Sequence, residues 1–273
     1  MKGILIMKHY IGISTALVLA LFYSTSHAGG DHGGELNVKL HVDDRWEECS
    51  FALDPSLTQE AWHQFTREAG LVTYFRPLNS AKPLGVKNFE VALLDWGTKI
   101  DETDAAWNDT FVHPDSTHYL ANGDLLFPGL MFRVGVTNQI DIGAYFTKNV
   151  PANYGFYGGQ VQYNFVNDVE KNLAAAARFS FTALFGPEDL NHSVVGLDVL
   201  ASKDISRFSP YVGVSGYLAR AQETTTKVNL DDENVLGLQG MVGTSVNISR
   251  LRIGAEWNFA DVAGYSFKLG YAF

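Results

Sequence analysis

The chain has 273 residues, of which 46% are hydrophobic and 13% aromatic, and its formal charge is −10. That acidic balance argues against a nucleic-acid partner, because binding phosphate needs a basic footprint. A single cysteine, Cys49, excludes an internal disulfide framework, and the length fits one large domain.

Residues 1–28 read as a secretory signal peptide. Lys2 and Lys8 precede or border an apolar run from Ile11 to Phe22, and Ser26 and Ala28 supply the small residues of a cleavage site. The run is shorter than the roughly 20 residues a spanning helix needs. This stretch holds two Lys and no acid, so its removal takes the charge from −10 to −12. No lipid-anchor cysteine follows the cut.

Residues 29–88 form an N-terminal segment of different character. GGDHGGE is a polar, flexible lead. A helix is predicted near 56–69, in DPSLTQEAWHQFTREAG. Ser56 and Gln59 have capping-box spacing, Leu57, Ala61, Phe65 and Ala69 share a face, and Gly70 is a natural stop. LVTYFRPL (71–78) is strand-like but short, and it contains Pro77. As a barrel strand it needs a partner, such as ELNVKLHV (35–42), which gives twelve strands. Otherwise the segment plugs or caps a barrel of ten, the reading adopted here.

Residues 89–273 alternate with period two, beginning with a weaker run from Phe89 to Thr98. Leu130, Phe132, Val134 and Val136 oppose Gly129, Arg133 and Gly135; Ile140, Ile142, Ala144 and Phe146 oppose Asp141, Gly143 and Tyr145. Similar runs centre on Val161, Phe179, Leu197, Val214, Leu238 and Ile253. The last has Tyr265, Phe267, Leu269, Tyr271 and Phe273 on one face. Ten such strands, each about the membrane-crossing length of 9–11 residues, predict an all-β, antiparallel transmembrane β-barrel with a short N-terminal helix. A barrel must close, because lipid cannot satisfy open backbone groups. A soluble sandwich would carry more charge on its polar face, whereas this face is Gly, Ser, Gln and Tyr. Short turns at 137–139 and 247–250 and long connections at 97–124 and 222–234 give the usual asymmetry. If the last strand ends in the periplasm, both short turns fall there and both long loops fall outside.

Two stretches carry a resemblance. The last strand, ending Tyr271-Ala272-Phe273, resembles the terminal signature of bacterial outer-membrane proteins. The resemblance implies that Tyr265, Phe267, Leu269, Tyr271 and Phe273 are read by the barrel assembly machinery. The stretch LTQEAWHQFTREAGLVTYFRPLNSAKPLGVKNFEVAL is similar to the N-terminal part of a family of uncharacterised proteobacterial outer-membrane β-barrel proteins. The matching features are the helix, the Ala81-Lys82-Pro83-Leu84-Gly85 turn and Phe89. That resemblance implies fold and place, with no activity attached.

Inward-facing charges are few: Arg133, Asp141, Arg178, Asp198, Arg252, Glu256 and Lys268. Hairpin geometry predicts three neighbouring pairs, Arg133 with Asp141, Arg178 with Asp198, and Glu256 with Lys268. They read as a salt-bridge network filling a narrow lumen, or as a constriction that selects ions. His113, Asp115, His118 and Asp124 sit in one loop, but the spacing is no recognised ligand pattern and a solvated loop is the plainer reading. His192 beside Ser193 near an outer rim is the weak catalytic candidate. No cofactor or metal is implied.

These readings converge on a monomeric barrel in outer-membrane lipid, acting as a narrow passive pore for small solutes or as a structural barrel. Two alternatives stay open: surface recognition or adhesion through the long loops, and a lipid-modifying hydrolase or acyltransferase.

Overall fold

The computed structural model describes residues 50–112, 124–148 and 154–273. The signal peptide, Cys49, the 35–42 stretch, and His113, Asp115 and His118 lie outside the described residues.

The chain opens with a two-residue strand, β1 (Ser50–Phe51), and a helix, α1 (Gln59–Val72). After β2 (Phe89–Lys99) come a single helical turn, α2 (Ala105–Asn108), and β3 (Phe111–Val112), which pairs with β1. The other strands are β4 (Asp124–Gly135), β5 (Ile140–Lys148), β6 (Gly155–Asp168), β7 (Leu173–Phe185), β8 (Leu190–Lys203), β9 (Phe208–Glu223), β10 (Glu233–Ile248), β11 (Leu251–Phe259) and β12 (Gly264–Ala272). β2 and β4 to β12 pair antiparallel with their neighbours in chain order, and β12 returns to β2, which closes a ten-stranded barrel. The seam runs from Gly264 opposite Thr98 to Ala272 opposite Glu90. Beyond it, the Phe273 N–H donates to the Phe89 carbonyl at 2.8 Å, and the two rings stack with centroids 4.4 Å apart.

Alternation along each strand sets the two faces. Phe132, Phe146, Phe179, Leu197, Val214, Leu238, Trp257 and Phe267 are exposed on the outer wall, while the residues between them are mostly buried. In water, such a surface would be an apolar patch far beyond what monomers carry. Lipid covers it instead, and closure leaves no strand edge unpaired in the hydrocarbon. This is a bacterial outer-membrane barrel in architecture. The tight turns after β4 and β10 lie at the end that carries Phe273. The longer connections after β2 and β9 leave the opposite end, here called the outer end.

The N-terminal segment lies inside this wall. The helix begins later than 56 and runs past Gly70. Ser56 is engaged by Asp54, whose Oδ1 accepts from the Ser56 N–H at 2.8 Å and Oγ at 2.6 Å. Thr58 therefore caps the helix, its Oγ1 accepting from the Ala61 N–H at 3.2 Å. Gly70 does not stop the helix but lets it touch the wall. A Cβ there would lie 2.7 Å from the Ala219 Cβ and 3.0 Å from Tyr217 Cε2. Residues 71–78 are not a barrel strand: Leu71 and Val72 finish α1, and the chain from Thr73 to Lys87 descends the lumen without pairing as a strand. Trp62, Phe65, Leu71, Val72, Tyr74, Phe75 and Leu78 are all buried there. Each large apolar side chain removed from water contributes roughly 1.5–3 kcal/mol.

Candidate functional site

The lumen is the only place where charged side chains converge inside the described wall. It has two storeys. In the outer storey, α1 brings Trp62 and Phe65 against the inner faces of the strands. Their rings stack at 5.5 Å, and Phe65 meets Trp107 edge-on at 5.1 Å. Trp107 Nε1 donates to Glu68 Oε2 at 2.6 Å, so α2 is pinned over the helix. A residual cavity of about 10 Å³ lies among Phe65, Trp107, Phe127, Phe156 and His192. It is the size of one water, and its lining is apolar.

The helix is latched to the outer rim. Gln59 Oε1 accepts from the Asp231 N–H at 2.9 Å, His63 Nδ1 lies 2.8 Å from Glu233 Oε2, and Arg67 Nε lies 3.2 Å from Asp261. Phase along α1 explains this: these polar residues sit on the turns that face outward, while Trp62, Phe65 and Ala69 face the wall.

The inner storey is polar. Arg178 Nη1 lies 3.0 Å from Asp198 Oδ2, and its Nη2 donates to the Asn79 carbonyl at 3.2 Å and to Gln162 Oε1 at 3.2 Å. Tyr74 donates to the other Asp198 oxygen. Arg133 bonds Asp141, lies 3.8 Å from Glu90, and donates to the Lys82 carbonyl at 3.3 Å. Asp141 in turn accepts the Leu84 N–H, 3.1 Å from Oδ1 and 3.0 Å from Oδ2. Lys268 Nζ lies 2.8 Å from Glu90 Oε1 and donates to Asn79 Oδ1. The wall's charges thus hold one another and the backbone of residues 79–84 together.

At the mouth nearest Phe273, Lys82 Nζ lies 2.6 Å from Asp204 Oδ2 in the turn between β8 and β9. Partial burial opposes the Asp204 charge. Hydrogen bonds from Lys82 and Ser209, with the ammonium's field, outweigh it and hold the carboxyl below the ordinary aspartate range.

Among the predicted charges, Arg133 meets Asp141 and Arg178 meets Asp198. Glu256 and Lys268 do not meet. The strands pair Glu256 with Ser266 and Lys268 with Gly254, two residues out of the predicted register. Glu256 instead accepts from Tyr211 Oη at 2.7 Å and from Asn258 Nδ2 at 3.1 Å. Lys268 turns to β2, where Gly270 leaves the path open: a Cβ there would lie 2.7 Å from Glu90 Oε1. Arg252 stands at the rim, donating to the Ser249 carbonyl at 2.7 Å, outside the network. Glu90, Tyr74, Asn79 and Gln162 were not singled out from the sequence. Glu90 was the legible one, since its parity within Phe89–Thr98 places it inward.

His192 and Ser193 are adjacent on a strand and therefore face opposite sides: the ring is buried toward the lumen and Ser193 lies on the outer wall. They cannot act as a catalytic pair. Asp124, the described member of the His/Asp loop set, accepts from Tyr265 Oη at 2.7 Å. Among the described residues, no cluster of three His, Cys, Asp or Glu side chains could hold a metal.

No family model and no curated protein matches the chain. Among solved structures, it is similar to an outer-membrane channel from Pseudomonas putida F1, with 10% identity, 73% of this chain and 100% of that one covered, and a TM-score of 0.43. The outer-membrane protease OmpT from Escherichia coli gives 9% identity, coverage of 71% and 100%, and a TM-score of 0.36. Neisserial surface protein A gives 12%, 68% and 95%, and 0.27. None of these likenesses carries a function to this chain. Its own closed ten-stranded wall with an apolar outer face makes it an outer-membrane β-barrel.

Proposed function

We propose that the protein is a sealed structural barrel of the outer membrane, with residues 54–88 as its resident plug. The supporting observation is the inner storey. Arg178 and Arg133 are buried, and each is held both by a wall carboxylate and by a backbone carbonyl of the segment. Withdrawing the segment would leave the wall ion pairs in place but remove these carbonyl acceptors, and each hydrogen bond to a charged group contributes about 1.5–3 kcal/mol. The plug is therefore a load of the folded state rather than a loose gate, and the lumen passes no solute while it is seated. Assembly into the membrane would proceed through the terminal strand.

Conductance across planar bilayers tests this. The full chain is expected to give no steps at any voltage, and discrete steps from it overturn the sealed reading.

A second reading is a pore held shut. Gln160 and Gln239 face the lumen with buried amide atoms that have no hydrogen-bond partner. Water would satisfy them in an emptied barrel. A chain lacking residues 54–88, checked for a heat-resistant folded form on gels, distinguishes the two. Steps from it alone would support a pore closed by its plug, and silence from it would leave the structural barrel.

A further inference from the structure

One carboxylate breaks the pattern of the outer wall. In β2 the even-numbered residues from Glu90 to Thr98 line the lumen, and Val91, Leu93 and Asp95 face outward with intermediate exposure. Asp95 stands six residues above Phe89. At ~3.3 Å per residue and a strand tilt of ~40°, that is roughly 15 Å of height. The apolar band is roughly 25 Å tall, so Asp95 lies within it, on the side of the outer leaflet. Ionisable groups at such depths are rare and mark function by default.

The wall offers this carboxyl no donor. Its direct neighbours across the strands are Phe267 on β12 and Pro128 on β4. Phe267 has no polar side-chain atom and Pro128 has no N–H. Above it, the Tyr265 ring lies over Gly97, with its hydroxyl already engaged by Asp124. Asp95 Oδ1 is buried in the wall and has no hydrogen-bond partner, while the side chain as a whole keeps an intermediate exposure. A donor reaching the exposed part of the carboxyl must come from the membrane. A lipid phosphate is the wrong group, being anionic and higher in the leaflet. A hydroxyl or amide N–H carried near the top of an acyl chain has the right chemistry and the right depth.

We propose that Asp95 binds an outer-leaflet lipid through an acyl-borne hydroxyl or amide donor, in a bay walled by Phe267 and Pro128 and roofed by Tyr265. The inference goes beyond the sealed-barrel reading and stands whether or not the plug moves.

The test places the full chain in two vesicle types. One is phosphatidylcholine with lipid A, whose chains are amide-linked and 3-hydroxylated. The other is phosphatidylcholine with phosphatidylglycerol of equal chain length, which is anionic but lacks both donors. D95L should raise the urea unfolding midpoint in phosphatidylglycerol vesicles and lose that gain in lipid A vesicles. Lipid A retained by the protein in native mass spectrometry should fall about five- to tenfold for D95L, the size of one hydrogen bond. D95N keeps an acceptor and should retain lipid A within about twofold of the parent, a readout that holds even if D95L folds poorly. Equal gains for D95L in both vesicles overturn the proposal. So does cross-linking that shows an Asp95-dependent dimer, which would assign the bay to a second copy.

Discussion

Lys268 and Glu90 form an ion pair across the seam that closes the barrel, with Nζ 2.8 Å from Oε1 and both side chains buried. Replacing Lys268 with Met leaves Glu90 with Arg133 at 3.8 Å as its nearest cation. The single change should cost about 3–5 kcal/mol, and the double variant Lys268→Met, Glu90→Gln should recover most of it. Urea unfolding in vesicles measures both. Equal losses in the single and double variants would show that the pair is not the closing element.

Tyr74 couples the segment to the wall through Asp198. Tyr74→Phe keeps the ring packed and removes the donor. The expected loss is about 1–3 kcal/mol. It should appear as faster amide exchange in residues 74–84, with the strands unchanged. Uniform protection throughout would mean that the hydroxyl does not hold the plug.

Gly70→Ala separates helix propensity from packing. Ala favours the helix by about 1 kcal/mol. Its Cβ would nevertheless meet Ala219 at 2.7 Å, and that atom is fixed to the backbone. Overpacking of about 1–3 kcal/mol should win, so the variant should unfold at lower urea. A stabilised variant would show that α1 can shift within the lumen.

The Lys82–Asp204 tether predicts a pH response. Asp204 is held below its unfolded value, so its contribution is present above that value, near ~3.9. It is lost as pH falls through the lower folded value. The Asp204 carboxyl signal in NMR should titrate below the ordinary aspartate range, and Lys82→Met should move it upward even though Ser209 still donates to it. Titration at the ordinary value in the parent would remove the tether.

The strands were legible because lipid and lumen impose opposite demands on successive residues. That is why Tyr265 to Phe273 reads as one outer row from the sequence alone. Arg178 and Asp198 were legible for the same reason, standing directly opposite in one hairpin. The true partners of Glu256 and Lys268 were not, because a two-residue shift of register keeps the face but moves a long side chain to another partner. Parity gives the face but not the register.

The sequence by itself determined an antiparallel wall of ten or twelve strands with an apolar outside, since period-two patterning is local and needs no knowledge of the partner strand; the tertiary structure decided for ten. Only the tertiary structure decided that residues 73–88 run through the lumen, that Gly70 is a contact and not a stop, and that the wall's charges close on the segment's backbone. Those outcomes depend on which residues meet across the barrel, some more than a hundred positions apart. Only closing the ring of strands brings them within hydrogen-bond reach.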